Sequence, residues 1–276
     1  MIAQLVRFHF RVPMQPLSSA PPNEFADVDY ILTDLDDTIT LDGRLPAASY
    51  AALEALEAAG KHVIIVTGRP AGWCDLLARF FPVSAVVGEN GAFYFRYDRQ
   101  TRIMHRAFQR TDAEREQDRA RLDTIYAGIL ASYPNLRLSA DQPYRVSDLA
   151  VDFCEDVERL DDGTIADIVR IFEAAGATAK VSSIHVNAWI GDFSKLEMSL
   201  RLLQDVYSVT PADSLDLVVY VGDSPNDEPM FGHFRHTVGV ANLSPFLAHL
   251  RKRPAWITAR PGGLGFAEVA SRLLNI

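Results

Sequence analysis

The chain of 276 residues is 48% apolar and 23% charged, with a formal net charge of −9. Such a length accommodates one large domain or two ordinary ones around a substantial core. The acidic balance argues against nucleic acid as a partner, because phosphate backbones are met by basic faces, and no apolar run reaches the length of a membrane helix.

Residues 1–26 carry Arg7 and Arg11 but lack the apolar core and small-residue cleavage site of a signal peptide. Their later part, "VPMQPLSSAPPNEF", is Pro-rich without a period. They read as an N-terminal tail or linker, with Met14 as an alternative start, and the chain reads as cytoplasmic. Cys74 and Cys154 are too few and too far apart for a disulfide framework or a metal motif, which leaves packing as their role.

Val28 to Thr33, "VDYILT", is a β-branched apolar run that stops at Asp34, Asp36 and Asp37, as a buried parallel strand would. Pro46 to Gly60 has Pro in its first turn and Gly past its last, which are helix start and stop signals. "HVIIVTGR" is a second apolar strand, ending in Thr67, Gly68 and Arg69. Strand, helix, strand begins a βαβ unit.

From Val83 the pattern changes. "VSAVVGENGAFYFRYD" reads as two β runs around Asn90-Gly91, a dipeptide suited to the positive φ of a tight hairpin. Thr111 with Glu114 makes a capping box for a helix reaching Tyr133. "LRLSA", "RVSDLAVDF", "TAKVSS" and "SIHVNAWI" supply further strands, and "GTIADIVRIFEAAG" a second amphipathic helix. Such strands and helices suggest a separate α+β module with an antiparallel sheet. After Trp189 the α/β rhythm returns: "SKLEMSLRLLQDVY" is helical, "LDLVVYVGDSPND" is an apolar strand breaking into an acidic turn, and "HTVGVAN", "LSPFLAHLRK", "AWIT" and "GFAEVASRLL" continue the alternation. The expected fold is α/β: a Rossmann-like doubly wound parallel sheet, over residues 27–93 and 190–276, with an α+β cap inserted over residues 94–189.

In a doubly wound sheet, residues just past the carboxyl ends of neighbouring strands meet in one crevice. Asp34 and Asp36, Thr67, and Asp223 with Asp227 all take such positions. Like charges so crowded raise each other's cost of ionisation unless a cation sits among them, and an oxygen-only ligand set suits Mg²⁺. An acidic turn also reads as a solvated loop, a helix cap or a Ca²⁺ loop; of these an EF-hand fails on spacing, since Ile39 and Leu45 fall where Gly and Glu are required. Taken singly, "TGR", "GDSPND" and Lys195 are ordinary turns, caps and helix starts; in this order, each after a strand or opening a helix, they converge.

"DLDDT", "TGR", Lys195 and "GDSPND" resemble the four motifs of the haloacid dehalogenase superfamily of phosphatases. The large insertion between the second and third motifs, "GENGAFYF", "TVGVAN" and "AWIT" resemble its Cof-type and sucrose-phosphate-phosphatase-like branch. The resemblance implies that Asp34 is the nucleophile and Asp36 the acid–base. It further implies that Mg²⁺ is held by Asp34, Asp36 and Asp223, with Asp227 behind them holding a metal-bound water or Lys195. Thr67, Gly68, Lys195, Asn226 and Asn90 are the implied phosphate or substrate ligands. Asp37 departs from the pattern, since relatives often carry Gly there. The cap implies a small substrate, a sugar phosphate or related metabolite, with Arg145, His185 and Asn187, together with Tyr144 and Asp148, as candidates for choosing it. A phosphomannomutase-like phosphotransferase and a non-catalytic sugar-phosphate sensor are the alternatives. Neither nucleic acid nor membrane is an expected partner, and the chain is expected to act as a monomer or homodimer.

Overall fold

The apolar runs that end in acidic or hydroxyl residues form the centre of a nine-stranded sheet in the computed structural model, which describes residues 14–275. The first half contributes β1 (Gln15–Pro16), β2 (Tyr30–Thr33), α1 (Ala47–Ala58), β3 (His62–Val66), α2 (Ala71–Phe80), β4 (Ala85–Gly88), β5 (Phe93–Asp98), β6 (Ile103–Phe108) and α3 (Asp112–Ser132). There follow β7 (Arg137–Leu138), β8 (Asp148–Asp152), α4 (Asp162–Ala174), β9 (Thr178–Val181), β10 (His185–Trp189) and α5 (Lys195–Tyr207). The chain closes with α6 (Ser214–Leu217), β11 (Val218–Gly222), α7 (Glu228–His233), β12 (His236–Gly239), β13 (Trp256–Ile257) and α8 (Gly262–Leu274).

The large sheet runs β1-β13-β12-β11-β2-β3-β4-β5-β6. Neighbours are parallel from β1 across to β4, and the last two pairings are antiparallel. Its central strands are buried on both faces, as continuous apolar runs require. On one face α1, α2 and α8 pack Leu53, Leu56, Leu77, Phe266 and Val269. On the other, α5 and α7 pack Met198, Leu202, Met230 and Phe231. The fold is therefore α/β and doubly wound. A second sheet, β7-β8-β10-β9, is antiparallel throughout and is covered by α3 and α4 through Leu122, Ile129, Ile168 and Phe172. This module is called the cap.

Two expectations need correction. Residues 14–26 are not a tail: β1 pairs in parallel with β13, and Leu17, Ala20 and Phe25 are buried in the core. Proline is tolerated because β1 is an edge strand, where no donor is needed on its open side. Residues 1–13, and with them the question of the start, lie outside the described residues. Nor does the insertion begin at residue 94, because β5 and β6 extend the large sheet and the second sheet forms only after α3. The turn at Asn90-Gly91 is longer than a two-residue hairpin, with Glu89, Asn90 and Gly91 all at positive φ (43°, 55° and 106°) between β4 and β5. The Thr111 capping box opens α3 as expected. No helix among the described residues is long and apolar enough to cross a membrane.

Candidate active site

β2, β3 and β11 lie side by side and parallel, so Asp34, Thr67 and Asp223 emerge from one edge of the sheet. The chain leaves β2 toward β3 on one side, while β11 flanks it on the other, which makes this edge a topological switch point. Asp34 is fixed at the end of β2 by its amide, which donates to the Val221 carbonyl at 2.9 Å. Lys195, at the start of α5 behind the Ser194 cap, reaches in from the other direction. Its Nζ donates to Asp34 Oδ1 at 2.9 Å and to Asp227 Oδ1 at 3.0 Å.

Carboxylate oxygens of Asp34, Asp223 and Asp227 lie within 4.8 Å of one another, and all three residues are buried. Asp227 is saturated: Oδ1 accepts from Lys195 and from the Tyr220 hydroxyl, and Oδ2 from the amides of Asp223 and Ser224. Asp223 accepts from Thr38 Oγ1 at 3.1 Å through Oδ1 only, and Asp34 from Lys195 through Oδ1 only. Burial pushes the Asp34 carboxyl up to about 7, with Asp227 and Asp36 adding to the rise and Lys195 opposing it. Burial and then the Asp34 and Asp227 charges push Asp223 well above the carboxylate range. Burial disfavours the Lys195 charge, but Asp227 and Asp34 outweigh that and raise it. Gly222 permits the approach, since a Cβ there would collide with the Asp227 carboxylate.

Thr67 is fully buried, and its Oγ1 accepts from the Arg69 amide at 3.0 Å. Gly68 lies against Asn90, whose amide group a Cβ at Gly68 would meet at 3.2 Å. The Asn90 Nδ2 is buried and has no hydrogen-bond partner among the described residues, so a strong donor faces this turn unused. Asn226 lies in the turn that Ser224 caps, its Oδ1 accepting from Ser224 Oγ at 2.7 Å. Asp37 stands at φ 54°, the left-handed region. That is a conformation glycine adopts without strain and Asp tolerates.

Asp36 does not join the cluster. Its carboxylate accepts from Arg69 Nε at 2.9 and 3.1 Å and from Arg69 Nη2 at 2.9 Å. The proposed specificity residues sit at the junction of cap and core. Arg145 is fully spent: Nε donates to Asp141, Nη1 to Asp148 and to the Gly68 carbonyl at 2.9 Å, and Nη2 to Asp141. Asn187 Nδ2 donates to Asp148 at 3.2 Å, and His185 Nε2 lies 2.9 Å from Glu155 Oε2. Tyr144, by contrast, is largely exposed. Glu89 is a buried residue that sequence reasoning missed. Its carboxylate accepts from the amides of Ala71 in the core and of Val146, Ser147 and Asp148 in the cap. Nor does the sequence single out Arg69, Asp141, Glu155 or Tyr220, of which only Arg69 lies in a motif.

An ammonium and three carboxylates are thus buried at the strand ends of a doubly wound sheet, where open α/β sheets bind their ligands. Residues 31–121 match the family model of haloacid dehalogenase-like hydrolases. Over those residues, about a third of its length, the chain is similar in sequence to that family, and over nearly all its length it shares its fold with the following proteins. A Thermoplasma acidophilum protein superposes with a TM-score of 0.67 at 17% identity, covering 90% of this chain and 99% of its own. A phosphatase of the haloalkanoate superfamily from Bacteroides thetaiotaomicron gives 0.60 at 16% identity, covering 96% and 99%. The sucrose-phosphatase of Synechocystis sp. PCC6803, solved with sucrose and phosphate, gives 0.58 at 16%, covering 90% and 98%. No curated protein matches the chain in sequence.

Proposed function

We propose that the protein is a Mg²⁺-dependent phosphomonoester hydrolase that cleaves a small phosphorylated metabolite, a sugar phosphate, through an aspartyl-phosphate on Asp34. The observation that carries this reading is the buried Asp34, Lys195, Asp227 and Asp223 cluster at the strand ends. An Asp34 oxygen attacks phosphorus, the ester P–O bond breaks, and its electron pair leaves on the alcohol oxygen, which takes a proton from Asp36. Asp36 then takes a proton from water, whose oxygen attacks phosphorus, freeing phosphate and restoring Asp34. Thr67, the Gly68 amide, Lys195, Asn90 and Asn226 are the groups assigned to the phosphoryl oxygens and the leaving group, where catalysis is largely positional and electrostatic. The unused Asn90 donor supports its share of that assignment.

Burial and mutual repulsion disfavour ionisation of Asp34 and Asp223, a cost that a cation between them would offset, and oxygen donors of this kind fit a hard divalent cation. Asp34 and Asp223, each with an oxygen that no described residue donates to, and the Asp36 carbonyl would hold it. Saturated Asp227 would hold Lys195. When bound, the cation offsets charge on the phosphoryl oxygens. Cap residues Arg145, Asp141 and Glu155 bond to the Gly68–Arg69 turn beside the crevice, which supports a small leaving group, and the fold shared with a sucrose-phosphatase supports a sugar. Two free thiols, Cys74 and Cys154, are in keeping with a cytoplasmic setting. The test is a panel of phosphorylated metabolites assayed with and without Mg²⁺. Phosphate release confined to the Mg²⁺ arm is expected, and no release from any member would overturn the reading.

A further inference from the structure

Arg69 is the only guanidinium that touches Asp36 among the described residues, and it does so through a two-nitrogen fork on both carboxylate oxygens. A fork of this kind fixes the plane of its partner, which a point charge does not. What fixes the fork comes mostly from the cap. Arg69 Nη1 donates to Asp141 at 3.3 Å and Nη2 to Glu155 at 2.7 Å, while the guanidinium carbon lies 4.4 Å from the centre of the Trp73 ring. Both cap carboxylates are themselves held. Asp141 accepts from Ser139 and Arg145, and Arg145 also binds the carbonyl of Gly68, the residue before Arg69. Glu155 is backed by His185, and although burial opposes its charge, His185 and Arg69 hold its carboxyl down at about 2.

We infer that Arg69 is a positioning residue that couples the acid–base Asp36 to the docked cap, with Glu155 and Asp141 as the cap groups that set it. The inference rests on the proposed role of Asp36. Docking of the cap then completes the active site from outside: with Asp141 and Glu155 in place the guanidinium is held on every nitrogen, and without them only Asp36 and Trp73 restrain it.

The test compares esters that differ in their need for an acid. An alkyl phosphate such as glycerol phosphate expels an alkoxide and needs the proton, whereas p-nitrophenyl phosphate expels a stable phenolate and does not. Glu155→Gln, a near-isosteric change at a partly exposed side chain, and Arg69→Lys are measured with Mg²⁺ present. The readouts are the pre-steady-state burst of nitrophenolate and the single-turnover release of glycerol. Both variants are expected to lose roughly tenfold or more in glycerol release beyond any loss in the nitrophenolate burst, the pattern of an acid that is misplaced rather than a site that is broken. Equal losses on the two esters, or none on either, would overturn the inference. Survival of both reactions in Asp34→Asn would instead remove the reading on which it rests.

Discussion

Asp34 and Asp227 share the Lys195 ammonium in a place water barely reaches, while Asp223 beside them has no cationic partner among the described residues. Two consequences follow at the level of side chains. Asp34→Asn is nearly isosteric and should leave the circular dichroism spectrum unchanged while lowering turnover roughly a thousandfold or more; turnover at the wild-type rate would refute the nucleophile. The second concerns pH. Burial first, then the neighbouring acids, raise folded Asp34 from 3.8 to about 7. Across that window the folded metal-free chain keeps a proton that the unfolded chain has released. Its stability contribution is therefore present at low pH and is lost as pH rises toward 7. Adding Mg²⁺ should raise Tm least near pH 5 and most above pH 7, and a pH-independent gain in calorimetry would contradict the cation site. The positions of Asp34, Asp36, Asp223 and Asp227 were legible in the sequence because each follows an apolar strand at a fixed offset. Arg69, Glu89 and Glu155 were not, since ion pairs and side-chain-to-amide hydrogen bonds between segments so distant leave no periodic trace.

Between the elements, the 89–91 turn lies hard against the start of α5. Gly91 has φ 106°, and a Cβ there would run into the Ser194 carbonyl, one residue before Lys195. Gly91→Ala should cost about 3 kcal/mol of stability, by clash and by backbone strain together. It should also weaken activity in the protein that remains folded, because α5 is displaced; denaturant melts and a specific-activity assay check the pair of effects. The sequence signalled that turn through Asn90-Gly91, and it signalled β2, β3, β11 and β12 through their unbroken apolar runs. It misplaced β5 and β6, because alternation reveals an antiparallel neighbour but not which sheet that neighbour belongs to. β1 escaped notice because two residues in a Pro-rich stretch carry no pattern, and only the parallel pairing with β13 reveals them.

For the molecule as a whole, residues 14–26 close one end of the large sheet and bury Leu17 and Phe25. Removal of residues 1–26 should therefore lower stability by about 3 kcal/mol or more, at the rate of apolar side chains returned to water. An unchanged melting temperature would restore the reading of a dispensable tail. At the opposite end, β5 and β6 carry the sheet outward toward α3, while the return from the cap runs through residues 190–194 straight into Lys195. That return is stiffened by Trp189, whose ring stacks on Phe193 and whose Nε1 donates to the Phe193 carbonyl at 3.2 Å. It works as a short strap with the ammonium at its far end. A tilt of the cap would therefore pull on the counter-charge of Asp34 through residues 190–194.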